Sequence, residues 1–178
     1  MKKPEEKDLP EKAGEFVEVK VAGLMLDPFS NAPIVILKDL NETITIPIWI
    51  GIVEASSIAI QLEKVQIPRP LTHDLLKNIL ETLGASVKRI EVTDLRDNTF
   101  FALIHLVTNG KQITIDSRPS DAIALALRTN SPIFVHEKVI EKSKKIDTKD
   151  AKFSEENRDK WADILADLKP EDFGKYKM

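Results

Sequence analysis

The sequence of 178 residues contains no cysteine and few aromatic residues, which make up 6% of the chain. Without cysteine the chain can form no disulfide framework, thiolate metal site or cysteine nucleophile, and a cytoplasmic location is favoured. No apolar run approaches the length of about 20 residues that a membrane-spanning helix needs, and residues 1–6 lack the apolar core of a signal peptide. We therefore expect no membrane association.

Positive charge is not in excess either, because the net charge is −3. Proteins that bind duplex DNA tightly and without sequence preference usually carry a basic surplus, so this balance argues mildly against that class. Three catalytic signatures are also missing: a His-x-x-x-His pair, a glycine-rich phosphate loop and a Gly-x-Ser-x-Gly elbow. Their absence leaves zinc proteases, nucleoside triphosphatases and serine hydrolases without support, and no organic cofactor is expected.

Shifts in composition along the chain predict one folded domain with tails. We expect a disordered N-terminal lead-in at 1–15, a domain at 16–142, a linker at 143–153, and a C-terminal helix with its tail at 154–178. The final helix has an apolar face, formed by Trp161, Ile164, Leu165 and Leu168. This face is expected to pack on the domain, with a second subunit or another partner as the alternatives.

Within the domain, apolar patterns predict seven strands, at 16–26, 33–37, 43–50, 87–92, 99–107, 112–115 and 133–135. Helical spacing predicts three helices, at about 53–65, 72–83 and 119–128. The second half repeats the first, since a shift of 67 residues superposes Glu54-Ala55 on Asp121-Ala122. The expected fold class is therefore α+β, with duplicated β-β-β-α units that form a mainly antiparallel sheet with packed helices.

The most informative segment lies where a predicted strand gives way to a predicted helix, and we call it the 116–121 corner. Its residues are Asp116, Ser117, Arg118, Pro119, Ser120 and Asp121. Polar side chains beside a helix N-terminus suit an anion or metal site, because the free N–H groups and the helix dipole attract negative charge. The competing interpretation is a well-capped helix, with Ser117 as the N-cap, Pro119 in the first turn and Asp121 favourable to the dipole.

A second corner at residues 69–74 has a similar layout, with Arg69-Pro70 before a helix that Thr72 is expected to cap. His73 is the best general acid–base candidate of the three histidines, because it lies on the first helical turn beside Asp74. The alternative is that His73 is merely a polar residue on an exposed turn. His105, flanked by apolar residues in a strand, is expected to be structural.

The carboxylates of Asp116, Asp121 and Glu54 could together bind Mg²⁺ or Mn²⁺, because hard cations take oxygen ligands. Such an ion could activate water for phosphodiester hydrolysis. The guanidinium groups of Arg69 and Arg118 would suit the phosphate oxygens. In the simpler alternative, Arg118 pairs with Asp116 or Glu54 and ties the two halves of the domain together.

Four sequence blocks and a closing segment together resemble the bifunctional nuclease family. The blocks are Pro47-Ile48-Trp49-Ile50-Gly51 with Glu54-Ala55, Arg69-Pro70-Leu71-Thr72-His73-Asp74, Asp97-Asn98-Thr99-Phe100-Phe101-Ala102 and Asp116-Ser117-Arg118-Pro119-Ser120-Asp121-Ala122, followed by Pro132-Ile133-Phe134-Val135. The resemblance covers about residues 16–142. It implies an α+β domain, nuclease activity toward RNA and DNA, and homo-oligomers.

Two hypotheses follow for function. In the first, the protein is a nuclease in which Asp116, Arg118, Asp121, His73 and Asp74 are the catalytic candidates. The candidates for substrate binding are Arg69, Arg118 and Ser120. In the second, the same polar corners belong to a non-enzymatic regulatory module that binds an anionic ligand or fixes a dimer. The first hypothesis requires both corners and Glu54 to converge in one concave site.

Overall fold

The computed structural model describes residues 16–144, which form a sheet and four helices. The strands are β1 Phe16–Leu26, β2 Pro33–Asp39, β3 Thr45–Trp49, β4 Ala85–Arg96, β5 Thr99–Thr108, β6 Lys111–Ser117 and β7 Ile133–His136. The helices are α1 Ile52–Leu62, α2 Thr72–Thr82, α3 Pro119–Thr129 and α4 Glu137–Ser143. None of the helices in this range is long and apolar enough to cross a membrane. The predicted lead-in, nearly all of the linker, and the C-terminal helix and tail lie outside the described residues.

The seven strands form one sheet in the order β3-β2-β1-β7-β4-β5-β6. Every neighbouring pair is antiparallel except β7 and β4, which run parallel. Each half of the chain contributes a three-stranded meander whose first strand lies innermost, and β7 joins the two meanders. The predicted α+β class with a mainly antiparallel sheet is confirmed.

The two halves match each other element by element. Helices α1 and α3 have the same length of 11 residues. Their N-caps, Gly51 and Arg118, are 67 residues apart, which is the shift that aligned the sequence repeat. Each helix follows the third strand of its meander, so the predicted pair of β-β-β-α units is present. One consequence is that Glu54 and Asp121 hold equivalent places, three residues after their N-caps.

The core lies between one face of the sheet and the α1–α3 helix pair. Helix α3 is buried nearly all round, with Ala122 through Ala126 at most 1% exposed. Its alanines leave room for α1 to approach, while Ile123 and Leu125 pack in the same cluster as the inward residues of β4 and β5. Burial of each large aliphatic side chain contributes about 1.5–3 kcal/mol. This packing fixes the N-terminus of α3 against that of α1.

Two local expectations need correction, and one helix was not predicted. Arg118 and not Ser117 is the N-cap of α3, and Leu71 and not Thr72 is the N-cap of α2. The Leu71 N–H donates to the Asp74 carboxylate over 2.9 Å. The side chain that satisfies the N-terminal backbone of α2 is therefore that of Asp74, in the first turn of the helix itself. Helix α4 was not predicted, because it is only seven residues long and its two Glu-Lys pairs leave just Val139 and Ile140 as an apolar signal.

Helix α4 is held to β4 by a carboxylate with a shifted pKa. Lys142 Nζ donates to Asp94 Oδ1 over 2.9 Å, and this hydrogen bond, the Leu95 N–H and the charge of Lys138 lower the pKa of Asp94 to about 2 from 3.8. A carboxylate with a lowered pKa stabilises the fold above its unfolded pKa, and that stability is lost as the pH falls toward the folded pKa.

We therefore expect Asp94→Asn to flatten the decline of the unfolding temperature between about pH 4 and pH 2. Circular dichroism melts across that interval measure it. Asp97→Asn, in the exposed turn that follows β4, removes the same charge and serves as the control. An Asp94→Asn profile that falls as steeply as that of the wild type would show that the ion pair does not contribute.

Candidate functional site

The imidazole of His73 lies between a hydroxyl and a carboxylate contributed by two other helices. Its Nδ1 is 2.9 Å from Ser57 Oγ on α1, and its Nε2 is 3.2 Å from Asp121 Oδ1 on α3. Asp121 is ionised at neutral pH, so Nε2 carries the proton and donates to it. In the neutral ring Nδ1 then has a free lone pair, which accepts the hydrogen bond from the Ser57 hydroxyl.

Arg118 joins the first turns of α1 and α3. Its Nη1 is 2.7 Å from Glu54 Oε1, and its Nε and Nη2 bind the two oxygens of Asp121 at 2.7 and 3.1 Å. The two equivalent carboxylates of the repeated units therefore share one guanidinium. This ion pair with Glu54 is the link between halves that the simpler alternative describes. The Arg118 side chain remains 65% exposed, and two of its five N–H groups are left for another acceptor.

The charges of this cluster support each other. Burial alone would raise the pKa of Asp121, but hydrogen bonds from Arg118 and His73 lower it below its usual value. The pKa of Arg118 is raised, mainly by its hydrogen bond and charge interaction with Asp121 and then by Glu54. Asp121 is thus held as a carboxylate that orients the ring of His73, which is the arrangement of a general base with its orienting acid.

Beneath His73, a buried arginine of α3 connects α1, α2 and α3. The Arg128 side chain is 2% exposed, and its Nε donates to Asp74 Oδ1 over 2.6 Å. Its Nη1 donates to the carbonyl oxygens of Ser57 and Ala124. The Asp74 carboxylate therefore accepts hydrogen bonds from the Leu71 N–H and from the Arg128 guanidinium. These two bonds fix the first turn of α2 and with it the position of His73.

A groove of about 590 Å³ lies next to this cluster, and Asp74 forms part of its wall. Lys64 and Arg69 also line it. Among the residues that the structure describes, no carboxylate forms an ion pair with either of them. The groove thus carries two cations on a wall that reaches the cluster through Asp74, the residue next to His73 in the sequence. Such cations suit an anionic polymer.

Five of the candidates from the sequence converge, and two do not take the expected places. His73, Asp74, Arg118, Asp121 and Glu54 form the contacts given above, and Arg69 lies on the adjoining groove. Ser120 is only 4% exposed, because the second position of α3 turns into the core.

Asp116 points to the opposite side of the sheet. It pairs with Leu103 on β5, whereas its neighbours Ile115 and Ser117 pair with the core residues Ile104 and Ala102. Since side chains alternate along a strand, Asp116 faces away from the helices.

The expected set of three metal ligands is consequently not assembled. Glu54 and Asp121 are bound to Arg118, and a divalent cation between them would be repelled by the guanidinium. No group of three His, Asp or Glu side chains in residues 16–144 is arranged to hold a metal ion. These donors do not fit Mg²⁺ or Mn²⁺.

Two participants escaped the sequence analysis. Ser57 follows Ser56 in an otherwise mostly apolar helical stretch, where two adjacent serines do not show which of them faces the site. Arg128 occupies the last turn of α3, where a cation usually complements the helix dipole at the surface. Its burial arises because α1 and α2 pack against it, with contacts from Ser57, 71 residues away, and Asp74, 54 residues away.

Comparisons with known proteins give one family. The bifunctional nuclease domain matches residues 35–148. An uncharacterized protein of Mycobacterium tuberculosis (strain ATCC 25618 / H37Rv) is 36% identical over 162 residues, which cover 88% of this chain and 97% of that protein. Bifunctional nuclease 1 of Arabidopsis thaliana is 30% identical over 115 residues, which cover 62% of this chain and 35% of the plant protein. Bifunctional nuclease 1 of Oryza sativa subsp. japonica is 26% identical over 116 residues, which cover 64% of this chain and 35% of the rice protein.

Proposed function

This chain belongs to the bifunctional nuclease domain family, and on that premise we propose that it hydrolyses phosphodiester bonds in RNA and DNA at the site formed by His73, Asp121 and Arg118. The observation that carries the proposal is the imidazole of His73, which Asp121 holds at one nitrogen while the lone pair of the other nitrogen accepts a hydrogen bond from the Ser57 hydroxyl. The neighbouring groove with Lys64 and Arg69 supplies a path for the polyanion.

His73 acts as the general base in this proposal. A water molecule hydrogen-bonded to Ser57 Oγ attacks phosphorus, and its proton passes through the Ser57 hydroxyl to His73 Nδ1. A new P–O bond forms to the water oxygen, and the bond to the leaving nucleoside oxygen breaks, with solvent protonating that oxygen. Asp121 keeps the ring in the productive tautomer and stabilises the imidazolium that results.

The arginines bind phosphate. Arg118 is exposed and has two N–H groups without an acceptor among residues 16–144. In the proposal it holds the scissile phosphate and offsets the charge that develops on the phosphate oxygens. Arg69 and Lys64 bind neighbouring phosphates along the groove. No step uses a divalent metal, because the carboxylates near His73 are already paired with arginines. Asp116, on the far side of the sheet, takes no part.

The test is cleavage of labelled single-stranded RNA and DNA by purified protein, with Asp121→Asn compared with Asp116→Asn. Loss of the orienting carboxylate is expected to lower kcat by about 10²-fold, the lower end of the usual contribution of general acid–base catalysis. Asp116→Asn changes the same atoms on the opposite face and is expected to keep wild-type activity. Equal activity in both variants would remove the site from consideration.

The same assay includes Mg²⁺, Mn²⁺ and EDTA. Cleavage is expected to persist in EDTA, because the proposed proton path uses protein groups alone. If EDTA abolishes cleavage and Mg²⁺ restores it, the metal-free mechanism is wrong.

The alternative is a regulatory module that binds an anionic ligand, and two observations favour it. Most polar groups of the cluster are already paired with each other, and Ser57 is 9% exposed. If wild-type protein free of contaminating nucleases binds RNA without cleaving it, and Arg69→Ala weakens that binding, the module is the better account.

A further inference from the structure

The groove between the end of α1 and the start of α2 has an apolar lining as well as its two cations. Five of its ten lining residues are apolar: Ile60, Val65, Ile67, Pro68 and Pro70. A channel that only followed a nucleic acid backbone would need cations and hydrogen-bond donors, because phosphates and sugars are what it would contact. The apolar lining therefore indicates that part of the ligand is itself apolar.

The polar side chains of this groove have few partners within the protein. Gln66 Nε2 makes one long hydrogen bond, of 3.5 Å, to the carbonyl oxygen of Lys64. Within residues 16–144, the side chains of Gln61, Lys64 and Arg69 form no hydrogen bond or ion pair. The acid of the lining, Asp74, is already paired with a buried arginine. Two amides and two cations are consequently available to a ligand.

The size and chemistry of the groove fit one nucleotide whose base is not stacked. Its volume of about 590 Å³ lies within the range of about 300–1,000 Å³ that is usual for sites of small molecules. In a duplex the faces of the bases are stacked, and only base edges, sugars and phosphates reach a protein. In a single strand an unstacked base can place its face on a protein surface. Apolar side chains beside cations thus match an unpaired base beside its phosphate.

We propose that this groove binds one unpaired nucleotide of a single strand, next to the phosphate that is cleaved. The inference rests on the proposed nuclease function, to which it adds a base subsite and single strands as the substrate class. Lys64 and Arg69 bind backbone phosphates, Val65 contacts the face of the base, and the two glutamine amides bind its edge. The nucleotide adjoins the scissile phosphate because Asp74 lines the groove and follows His73 in the chain.

The first test measures the binding of three probes by isothermal titration calorimetry: adenosine 5′-monophosphate (AMP), adenosine and inorganic phosphate. AMP has no phosphodiester bond, so cleavage does not interfere with the measurement. AMP is expected to bind at least about tenfold more tightly than adenosine or phosphate, since linking two groups makes the second contact intramolecular.

Two variants separate the two parts of the subsite. Lys64→Ala is expected to weaken AMP and phosphate binding about tenfold and to leave adenosine binding unchanged. Val65→Ser is expected to weaken AMP and adenosine binding at least about threefold and to leave phosphate binding unchanged. Val65 is 41% exposed, so this change spares the core. The matched control is Lys111→Ala, which removes a lysine charge at the exposed start of β6 and should keep all three affinities.

The second test compares initial cleavage rates for a labelled single-stranded RNA and for the same RNA annealed to its complement. The single strand is expected to be cleaved at least about tenfold faster, because a paired base must first leave its stack to enter the groove. Val65→Ser is expected to narrow this difference. Equal rates for the two substrates with the wild-type protein would contradict the assignment of single strands as the substrate class.

The binding test distinguishes failure of the subsite from failure of the nuclease proposal. If AMP binds no more tightly than phosphate, or if Val65→Ser leaves its affinity unchanged, the subsite is wrong even when RNA is cleaved. If AMP binds with the expected pattern and clean wild-type protein cleaves no RNA, the nucleotide site is supported and the nuclease function is wrong.

Discussion

Replacing His73 with glutamine is expected to lower kcat/KM for RNA cleavage by about 10²–10⁴-fold, the usual contribution of a general base. Glutamine can still hydrogen-bond to Ser57 and Asp121, so the helices stay in place, but its amide cannot take up a proton. Ser57→Ala is expected to cost less, about tenfold, because water can replace the lost hydroxyl as the hydrogen-bond partner of Nδ1. Initial rates with a labelled oligonucleotide measure both effects.

The matched control for His73→Gln is His105→Gln. His105 Nε2 is 2.9 Å from Glu91 Oε2, and its Nδ1 is 3.3 Å from Thr114 Oγ1, so it too lies between a carboxylate and a hydroxyl. It occupies the face of the sheet opposite the helices, since it pairs with Arg89 and alternates with the core residues Ile104 and Leu106. Full activity in His73→Gln, or an equal loss in both variants, would contradict the proposed role of His73.

The second large effect is on the free energy of unfolding, and it differs between the two partners of the Asp74–Arg128 ion pair. Asp74→Asn leaves the guanidinium of Arg128 buried without a counter-charge, and we expect it to lower the free energy of unfolding by about 3–5 kcal/mol. Arg128→Met removes the buried charge itself and leaves Asp74, whose side chain is 31% exposed, in contact with water. That change is expected to cost only about 1–2 kcal/mol for the lost hydrogen bonds.

Urea unfolding of the two single variants and of the double variant separates the cost of the unpaired buried charge from the cost of the lost hydrogen bonds. The double variant should be more stable than Asp74→Asn alone, because no unpaired charge remains in the interior. If Arg128→Met is as damaging as Asp74→Asn, the arginine contributes through packing and carbonyl contacts and not through its pairing with Asp74.

Much of the fold is predictable from the sequence because its signals are local or repeated. The alternating strands and the place of Pro119 in the first turn of α3 follow from residues close in sequence, and the shift of 67 residues that aligns Glu54 with Asp121 follows from the repeat. The repeat even predicts that these two acids occupy equivalent helix positions. It cannot predict that both bind Arg118, because the first unit has Gly51 at the equivalent position and the contact depends on how α1 and α3 pack.

The site itself is harder to predict, for two different physical reasons. The contact between His73 and Asp121 joins residues 48 apart, and nothing in either local pattern specifies it. The orientation of Asp116 was in principle available, because Ile113 and Ile115 mark one face of β6 and strand alternation places Asp116 on the other. The 116–121 corner therefore joins residues that are close along the chain and separated by the sheet.

The position of β7 has a consequence for the order in which the molecule can be completed. Ile133 and Val135 pair with β1 on one side and with β4 on the other, yet this central strand follows both meanders along the chain. A nascent chain emerging N-terminus first has two three-stranded halves, each with an open inner edge, until residues 133–136 leave the ribosome. Interruption of translation before that point yields a product with two unpaired inner strands, β1 and β4, whose free backbone groups can pair with other chains. Cellular quality control would have to recognise such a product.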